Sequence, residues 1–145
     1  MAVLVIAKMS SARLVREWTD KEMFERADLV VIACNLSTKD SDERIELPDL
    51  SPPVSVIGVV TEFRTNLILK GSQNVTRLLL HHYRLDKAAD IMIPNGPRLV
   101  RIPDGEHKNF LLFLKKEGDG RYIPVTGQAD PAGLSVVELV GGAGE

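Results

Sequence analysis

The sequence of 145 residues has one cysteine, few aromatic residues and no excess of positive charge. A single thiol, Cys34, excludes a disulfide within the chain, so the core must form without one. The net charge of −2 argues against non-specific nucleic-acid binding, which relies on a basic excess to neutralise phosphates. No stretch reaches the roughly 20 apolar residues that a membrane-spanning helix needs. These absences indicate a globular protein without a membrane span.

Composition and length then favour one ordered domain. Apolar residues make up 44% of the chain and charged residues 26%, as in an ordinary globular protein, so a packed core is expected. The length suits one domain, and we predict it over residues 1–140, with a flexible tail at 141–145. The apolar start, residues 1–7, is either an edge strand or the remnant of a trimmed leader, because no basic region precedes it.

Residues 19–27 predict a short helix. Thr19 and Glu22 have the spacing of a capping box, in which each side chain satisfies a free backbone N–H of the first turn. The residues predicted on its core-facing side are Met23, Phe24 and Ala27. Trp18, the only tryptophan, is expected to pack on the core.

Short apolar and β-branched segments follow, separated by turn residues. They span residues 29–36, 54–69, 75–83, 99–102, 110–115, 122–125 and 134–140. The alternation within residues 54–69 changes phase near Gly58, which indicates a bulge or bend. Residues 37–53 are acidic and polar and are interpreted as a solvated extension of a hairpin, with a functional or mobile loop as the alternative. The pattern predicts a mainly β fold with a minor α part, a five- to seven-stranded antiparallel barrel.

Several segments together resemble a known family. They are Ala27-Asp28-Leu29-Val30-Val31-Ile32-Ala33, Ile68-Leu69-Lys70-Gly71 after Phe63, Phe110-Leu111-Leu112-Phe113-Leu114-Lys115, Gly120-Arg121-Tyr122-Ile123-Pro124-Val125-Thr126-Gly127, and Ser135-Val136. In this order they resemble uncharacterised bacterial proteins with a netrin-like barrel of the OB type, similar to tissue inhibitors of metalloproteinases. The resemblance covers roughly residues 19–140.

The resemblance implies an OB-like barrel with the N-terminal helix packed on it. Members of that group are typically exported, which implies a periplasmic or extracellular location with a removed leader; a cytoplasmic location is the alternative. The eukaryotic inhibitors open with a cysteine that chelates the protease metal. Here the only cysteine, Cys34, lies within a predicted strand. Inhibition by that mechanism is therefore not implied, and neither is a cofactor.

No motif for catalysis is present. The chain has neither a Gly-x-Ser-x-Gly elbow nor a glycine-rich phosphate loop leading into a helix. We therefore interpret it as a non-enzymatic binding domain without a cofactor, with a protein or peptide as its partner and an oligomeric state that the sequence does not define. The residues expected to form the binding surface are His81, His82, Tyr83, Arg84, Asp40, Asp42 and Glu43.

One alternative is a metal-binding protein or hydrolase that uses His81 or His82 with His107. A catalytic zinc site needs three protein ligands, and Asp104 or Glu106 would supply the third. Neighbouring side chains on a strand point to opposite faces, so His81 and His82 are not expected to share a metal.

A second alternative is a domain that binds single-stranded nucleic acid. OB-type barrels do so through aromatic side chains in a basic groove. Phe63, Phe110 and Phe113 lie in apolar segments and are expected in the core. Only Tyr83 and Tyr122 remain as stacking candidates, so nucleic acid is the weaker prediction.

Overall fold

One helix and six strands make up the part of the chain that the computed structural model describes, residues 17–47, 53–86 and 97–140. In chain order they are α1 (Asp20–Arg26), β1 (Leu29–Leu47), β2 (Val54–Lys70), β3 (Arg77–Leu85), β4 (Asn109–Lys116), β5 (Tyr122–Pro124) and β6 (Val136–Leu139). Residues 1–7 and 141–145, for which a strand or leader remnant and a flexible tail are predicted, lie outside the described residues.

The predicted helix forms with the predicted N-cap. The hydroxyl of Thr19 accepts a hydrogen bond of 3.1 Å from the backbone N–H of Glu22. Met23 and Ala27 are buried, as expected. Phe24 is 40% exposed, so its assignment to the core-facing side is wrong. Successive side chains on a helix point about 100° apart, so residues four positions apart share a face and adjacent residues do not. Met23 and Ala27 therefore face the core together, and Phe24, next to Met23, points away from it.

Strand β1 begins in the core and has both faces covered there. Leu29, Val31 and Ala33 point into the main core, while Val30 points to the other side. Val30 packs against α1 and Phe113. Burial on both faces explains the almost continuous apolar run and confirms the strand predicted at residues 29–36.

The two irregular segments of the sequence have different outcomes, one confirmed and one wrong. The hairpin extension is confirmed over residues 37–47, because β1 continues to Leu47 and pairs with β2 as far as Val54. The loop alternative is wrong there. Most side chains there are exposed or half-buried, so no apolar alternation marks the strand. Residues 99–102, predicted as a strand, form no strand pairing within the described chain, although Val100 and Ile102 are buried in the core.

The strands close into a ring, which confirms the prediction of a small, mainly β barrel. β1 pairs with β2 on one side and with β4 on the other, β2 pairs with β3, and β4 pairs with β5. The ring closes between β3 and β5 through one parallel pair, Leu80 with Tyr122, and β6 lies beside β4. Phe63 and Phe110 meet edge to face in the core, with ring centroids 5.6 Å apart.

Two further observations concern predictions from composition. Cys34, the single thiol, is free and buried. Among the described residues, no helix has the length and apolar character needed to cross a membrane.

Candidate functional site

The site begins at an irregularity in the long β1–β2 hairpin. Asp40 pairs with Val59 and Arg44 pairs with Ile57, so three residues of β1 face the single residue Gly58 of β2. The bulge expected near Gly58 is therefore present, with its extra residues on the partner strand. The hydroxyl of Ser41, one of the three, donates a hydrogen bond of 3.1 Å to the carbonyl of Gly58.

The missing side chain of Gly58 makes room for Glu43. A Cβ atom at position 58 would lie 2.5 Å from Glu43 Oε1 and 2.6 Å from Ser41 Oγ. Glu43 therefore lies across the backbone of β2 and reaches the side chains of β3. Its Oε1 is 2.6 Å from His81 Nε2, and its Oε2 accepts a hydrogen bond of 2.8 Å from the hydroxyl of Tyr83.

A second carboxylate completes this group, which we call the His81 cluster (Glu43, His81, Tyr83 and Glu117). Glu117 Oε1 is 3.0 Å from His81 Nδ1. Each ring nitrogen thus faces a carboxylate oxygen, and an imidazole donates from both nitrogens only when it is protonated. The arrangement fits an imidazolium held between two carboxylates. Arg121 borders the cluster, with its Nε 3.6 Å from Glu117 Oε1.

The contacts within the cluster shift the pKa values of Glu43 and Tyr83. Burial alone would raise the pKa of Glu43, but the hydrogen bonds from Tyr83 and His81 and the charges of His81 and Arg121 lower the pKa below its ordinary value. Burial and the bond to Glu43 raise the pKa of Tyr83. Glu43 is therefore an anion at neutral pH, and Tyr83 stays a neutral donor to it.

Gly58→Ala is expected to lower the free energy of unfolding by about 1–3 kcal/mol, because the new methyl group would displace Glu43 from His81. Urea denaturation measures this change. Gly118→Ala is the matched control, since nothing lies within 4 Å of a Cβ built there, and it should change stability by less than about 0.5 kcal/mol. Equal stability of the two variants would contradict the close packing of Glu43 on Gly58.

His82 lies on the opposite face of β3 and is 3% exposed. Its Nε2 is 2.8 Å from Thr61 Oγ1, which is in turn 2.9 Å from Thr38 Oγ1. Its Nδ1 is buried without a hydrogen-bond partner in the described structure. Burial and the neighbouring charge of His81 lower the pKa of His82 to about 4. His82 is therefore neutral at physiological pH.

A cavity of about 700 Å³ opens beside His82. Its walls are mostly apolar, and its polar members come from β1, β3 and residues 97–103. The lining residues are Thr38, Asp40, Val59, His82, Arg84, Leu85, Pro97, Leu99, Val100, Arg101, Ile102 and Pro103. This volume and composition are typical of ligand sites, which enclose about 300–1,000 Å³ of mainly apolar space with a few polar groups.

Asp40 and Arg84 form a bidentate ion pair in the cavity wall. Arg84 Nε lies 2.8 Å from one carboxylate oxygen of Asp40, and Nη2 lies 2.7 Å from the other. The hydrogen bonds and the charge of Arg84 hold the pKa of Asp40 below its usual value. The pair joins the end of β3 to β1 beside the bulge, and both residues line the cavity.

No protein-family model and no curated protein matches this chain.

The structure brings together most of the residues expected to form the binding surface, on both faces of the β2–β3 pair. His81 and Tyr83 bond to Glu43, and Arg84 bonds to Asp40, although β1 and β3 are separated by β2. His81, His82 and Tyr83 are at most 6% exposed, so they do not form an open surface. Asp42, the remaining residue, is exposed on the bulge.

His107 does not join the other two histidines. Its Nδ1 is 2.8 Å from the carbonyl of Asn35, beside the segment that precedes β4. Within the described ranges, no three His, Cys, Asp or Glu side chains are grouped so that they could hold a metal ion. The two carboxylates of the His81 cluster bind opposite nitrogens of one ring and so do not converge on a common point.

Sequence reasoning missed three contributors to the two sites. Glu117 follows a predicted strand and Arg121 follows a predicted turn, and neither belongs to a motif that marks a partner of His81. Arg101 carried a usable signal, because it is the polar residue between the apolar residues Val100 and Ile102 in a predicted strand. An exposed arginine was therefore predictable there, but its place beside a cavity was not.

Proposed function

We propose that this chain is a non-enzymatic binding domain of the OB type whose partner is an extended peptide segment of another protein. The ring order of the five strands supports the OB-type assignment. The cavity beside His82 is the proposed peptide-binding site, because its mainly apolar walls suit an apolar side chain of the partner. An exported location, which the family resemblance implies, stays a prediction.

The observation that carries the peptide proposal is the segment of residues 99–102. Its side chains alternate as in a strand, with Val100 and Ile102 buried and Arg101 exposed. It has no ladder partner in the described structure, and it lines the cavity. An extended peptide can add to such a segment through backbone hydrogen bonds while one of its side chains fills the neighbouring pocket.

The two alternatives receive less support from the geometry. His82 bonds to Thr61, His81 to two carboxylates and His107 to a backbone carbonyl, so each imidazole already has a partner elsewhere. Of the five aromatic side chains considered for stacking, Phe63, Phe110, Phe113 and Tyr83 are buried, and Tyr122 is half-buried. A peptide remains the best-supported partner.

Leu99→Trp is expected to block the cavity and to weaken peptide binding by at least about tenfold, because a filled pocket cannot accept an apolar anchor. Peptides selected from a phage library of random heptapeptides on the immobilised wild-type protein serve as probes, and fluorescence polarisation measures their affinity. Leu67→Trp is the matched control, because Leu67 is 52% exposed on β2 and does not line the cavity.

Circular dichroism checks that both tryptophan variants fold. Selected peptides that bind Leu99→Trp as tightly as the wild type would place their site outside the cavity. A selection that yields no binding peptide would contradict the peptide proposal itself.

A further inference from the structure

The charges that line the cavity do not balance. Arg84 and Arg101 are cationic, Asp40 is anionic, and His82 is neutral because its pKa is about 4. The lining residues therefore carry a net charge of +1 at physiological pH. This local excess contrasts with the whole chain, whose net charge is −2.

Arg84 is fully engaged within the protein. Asp40 binds its Nε and Nη2 in the bidentate pair described above, and its Nη1 donates a hydrogen bond of 3.1 Å to the carbonyl of Leu85. A guanidinium held in this way on both edges has little capacity for another anion. Arg84 thus has a structural role in the cavity wall and does not bind the ligand.

Arg101 is exposed and has no ion pair within residues 17–47, 53–86 and 97–140. The acidic residues that follow it closely in sequence have other contacts. Asp104 Oδ1 accepts a hydrogen bond of 3.2 Å from the backbone N–H of Thr38, and Glu106 lies 3.9 Å from Lys108 Nζ. Arg101 is therefore the lining charge that is available to a ligand.

We infer that the partner peptide carries a carboxylate next to the apolar group that enters the cavity, and that Arg101 binds this carboxylate. The inference rests on the proposed function and specifies the chemistry of its ligand. A guanidinium presents a planar set of N–H donors that matches a carboxylate in bidentate geometry. A single excess charge suits a monovalent anion, whereas a dianionic phosphate would leave uncompensated charge near Asp40.

The position of Arg101 within residues 99–102 determines where the carboxylate of the ligand lies relative to its apolar group. Val100 and Ile102 point into the core on either side of it, which fixes the backbone from which Arg101 extends. A peptide paired with this backbone would place one side chain over the cavity and the adjacent group toward the solvent side, where Arg101 lies. The required carboxylate is either an Asp or Glu side chain next to the apolar residue or the C-terminal carboxylate of the apolar residue itself.

Methyl NMR titrations of the full chain test the inference with three small probes. N-acetyl-leucine carries a terminal carboxylate, acetyl-Leu-Glu-amide carries a side-chain carboxylate, and acetyl-Leu-Gln-amide is the neutral isostere of the latter. The methyl signals of Leu85, Leu99 and Val100 report occupancy of the cavity. We expect at least one acidic probe to bind about three- to fivefold more tightly than the neutral probe, as for an exposed ion pair.

Arg101→Gln is expected to remove this preference for the acidic probes and to leave the affinity for acetyl-Leu-Gln-amide unchanged. Arg64→Gln, which removes an exposed arginine of β2 outside the cavity, should keep the preference. Whichever acidic probe loses affinity in Arg101→Gln identifies the source of the carboxylate.

The outcomes separate the two proposals. Equal binding of acidic and neutral probes to the wild type overturns the role of Arg101 and leaves the peptide site in place. A preference that persists in Arg101→Gln also overturns it. Probes that shift none of the cavity methyl signals contradict both the inference and the proposed function.

Discussion

Asn35→Ala is expected to lower the free energy of unfolding by about 3–5 kcal/mol. The Asn35 side chain is 1% exposed and makes three hydrogen bonds to one loop. Its Nδ2 donates to the carbonyls of Pro103 and Glu106 at 3.2 and 2.6 Å, and its Oδ1 accepts from the N–H of Lys108 at 2.7 Å. Alanine would leave all three backbone groups without these partners, at about 1–3 kcal/mol for each group that stays buried.

Urea denaturation followed by circular dichroism measures the loss. Asn66→Ala is the matched control, because Asn66 is exposed and its Nδ2 donates one hydrogen bond, to Asn109 Oδ1. That variant should stay within about 0.5 kcal/mol of the wild type. Asn35→Asp, which keeps the shape but turns the Nδ2 donor into an acceptor facing two carbonyls, should also be strongly destabilised. A small effect of both Asn35 variants would mean that the loop is held by other contacts.

Acidification is expected to destabilise the protein through His82 by about 3 kcal/mol. The folded protein keeps His82 neutral down to its pKa of about 4, whereas the unfolded chain takes up this proton near pH 6.5. Between these two values the unfolded state binds more protons, so stability falls as the pH falls through this window. The difference between 6.5 and about 4, at about 1.36 kcal/mol per pH unit, sets the size of the loss.

His82→Gln removes the titrating ring and keeps an amide that can bond to Thr61. Its stability should fall less than that of the wild type between pH 7 and pH 4, by up to about 3 kcal/mol. Carboxylate titrations are common to both proteins, so the difference between their pH profiles isolates His82. Parallel profiles for His82→Gln and the wild type would rule out a buried neutral His82 as the cause.

Much of the barrel could be predicted because its signals are local. The run from Leu29 to Cys34 is apolar on both faces, since α1 covers the outer one, and such a run indicates a buried strand without knowledge of its partners. The capped helix and the β4–β5 hairpin likewise depend on residues close in sequence. The second half of β1 has no strand pattern of its own, because its side chains are largely solvent-exposed and only its backbone pairing with β2 defines it. Its place in a hairpin extension was predictable, but its extent as a strand was not.

Most residues of the candidate site could be predicted from the sequence, but their burial and their contacts with one another could not. The acids at 40–43 and the side chains at 81–84 meet because β1 and β3 flank the same stretch of β2, and Gly58 lets Glu43 cross it. Sequence alone does not tell which face of β3 is covered, so the burial of His81 and Tyr83 was missed. Partners such as Glu117, which follows β4, are distant from His81 in the sequence, and no local pattern specifies them.

Closure of the ring through β1 and β4 has a consequence during synthesis of the chain. Leu29 pairs with Leu114, so one edge of β1 has no neighbour until the ribosome has made most of the domain. At about 5–20 residues per second, that edge stays uncovered for several seconds. During this interval it presents apolar side chains and free backbone groups, the combination that favours pairing with other chains. A nascent chain of this protein is thus most exposed to misassembly, and to capture by chaperones, before β4 emerges.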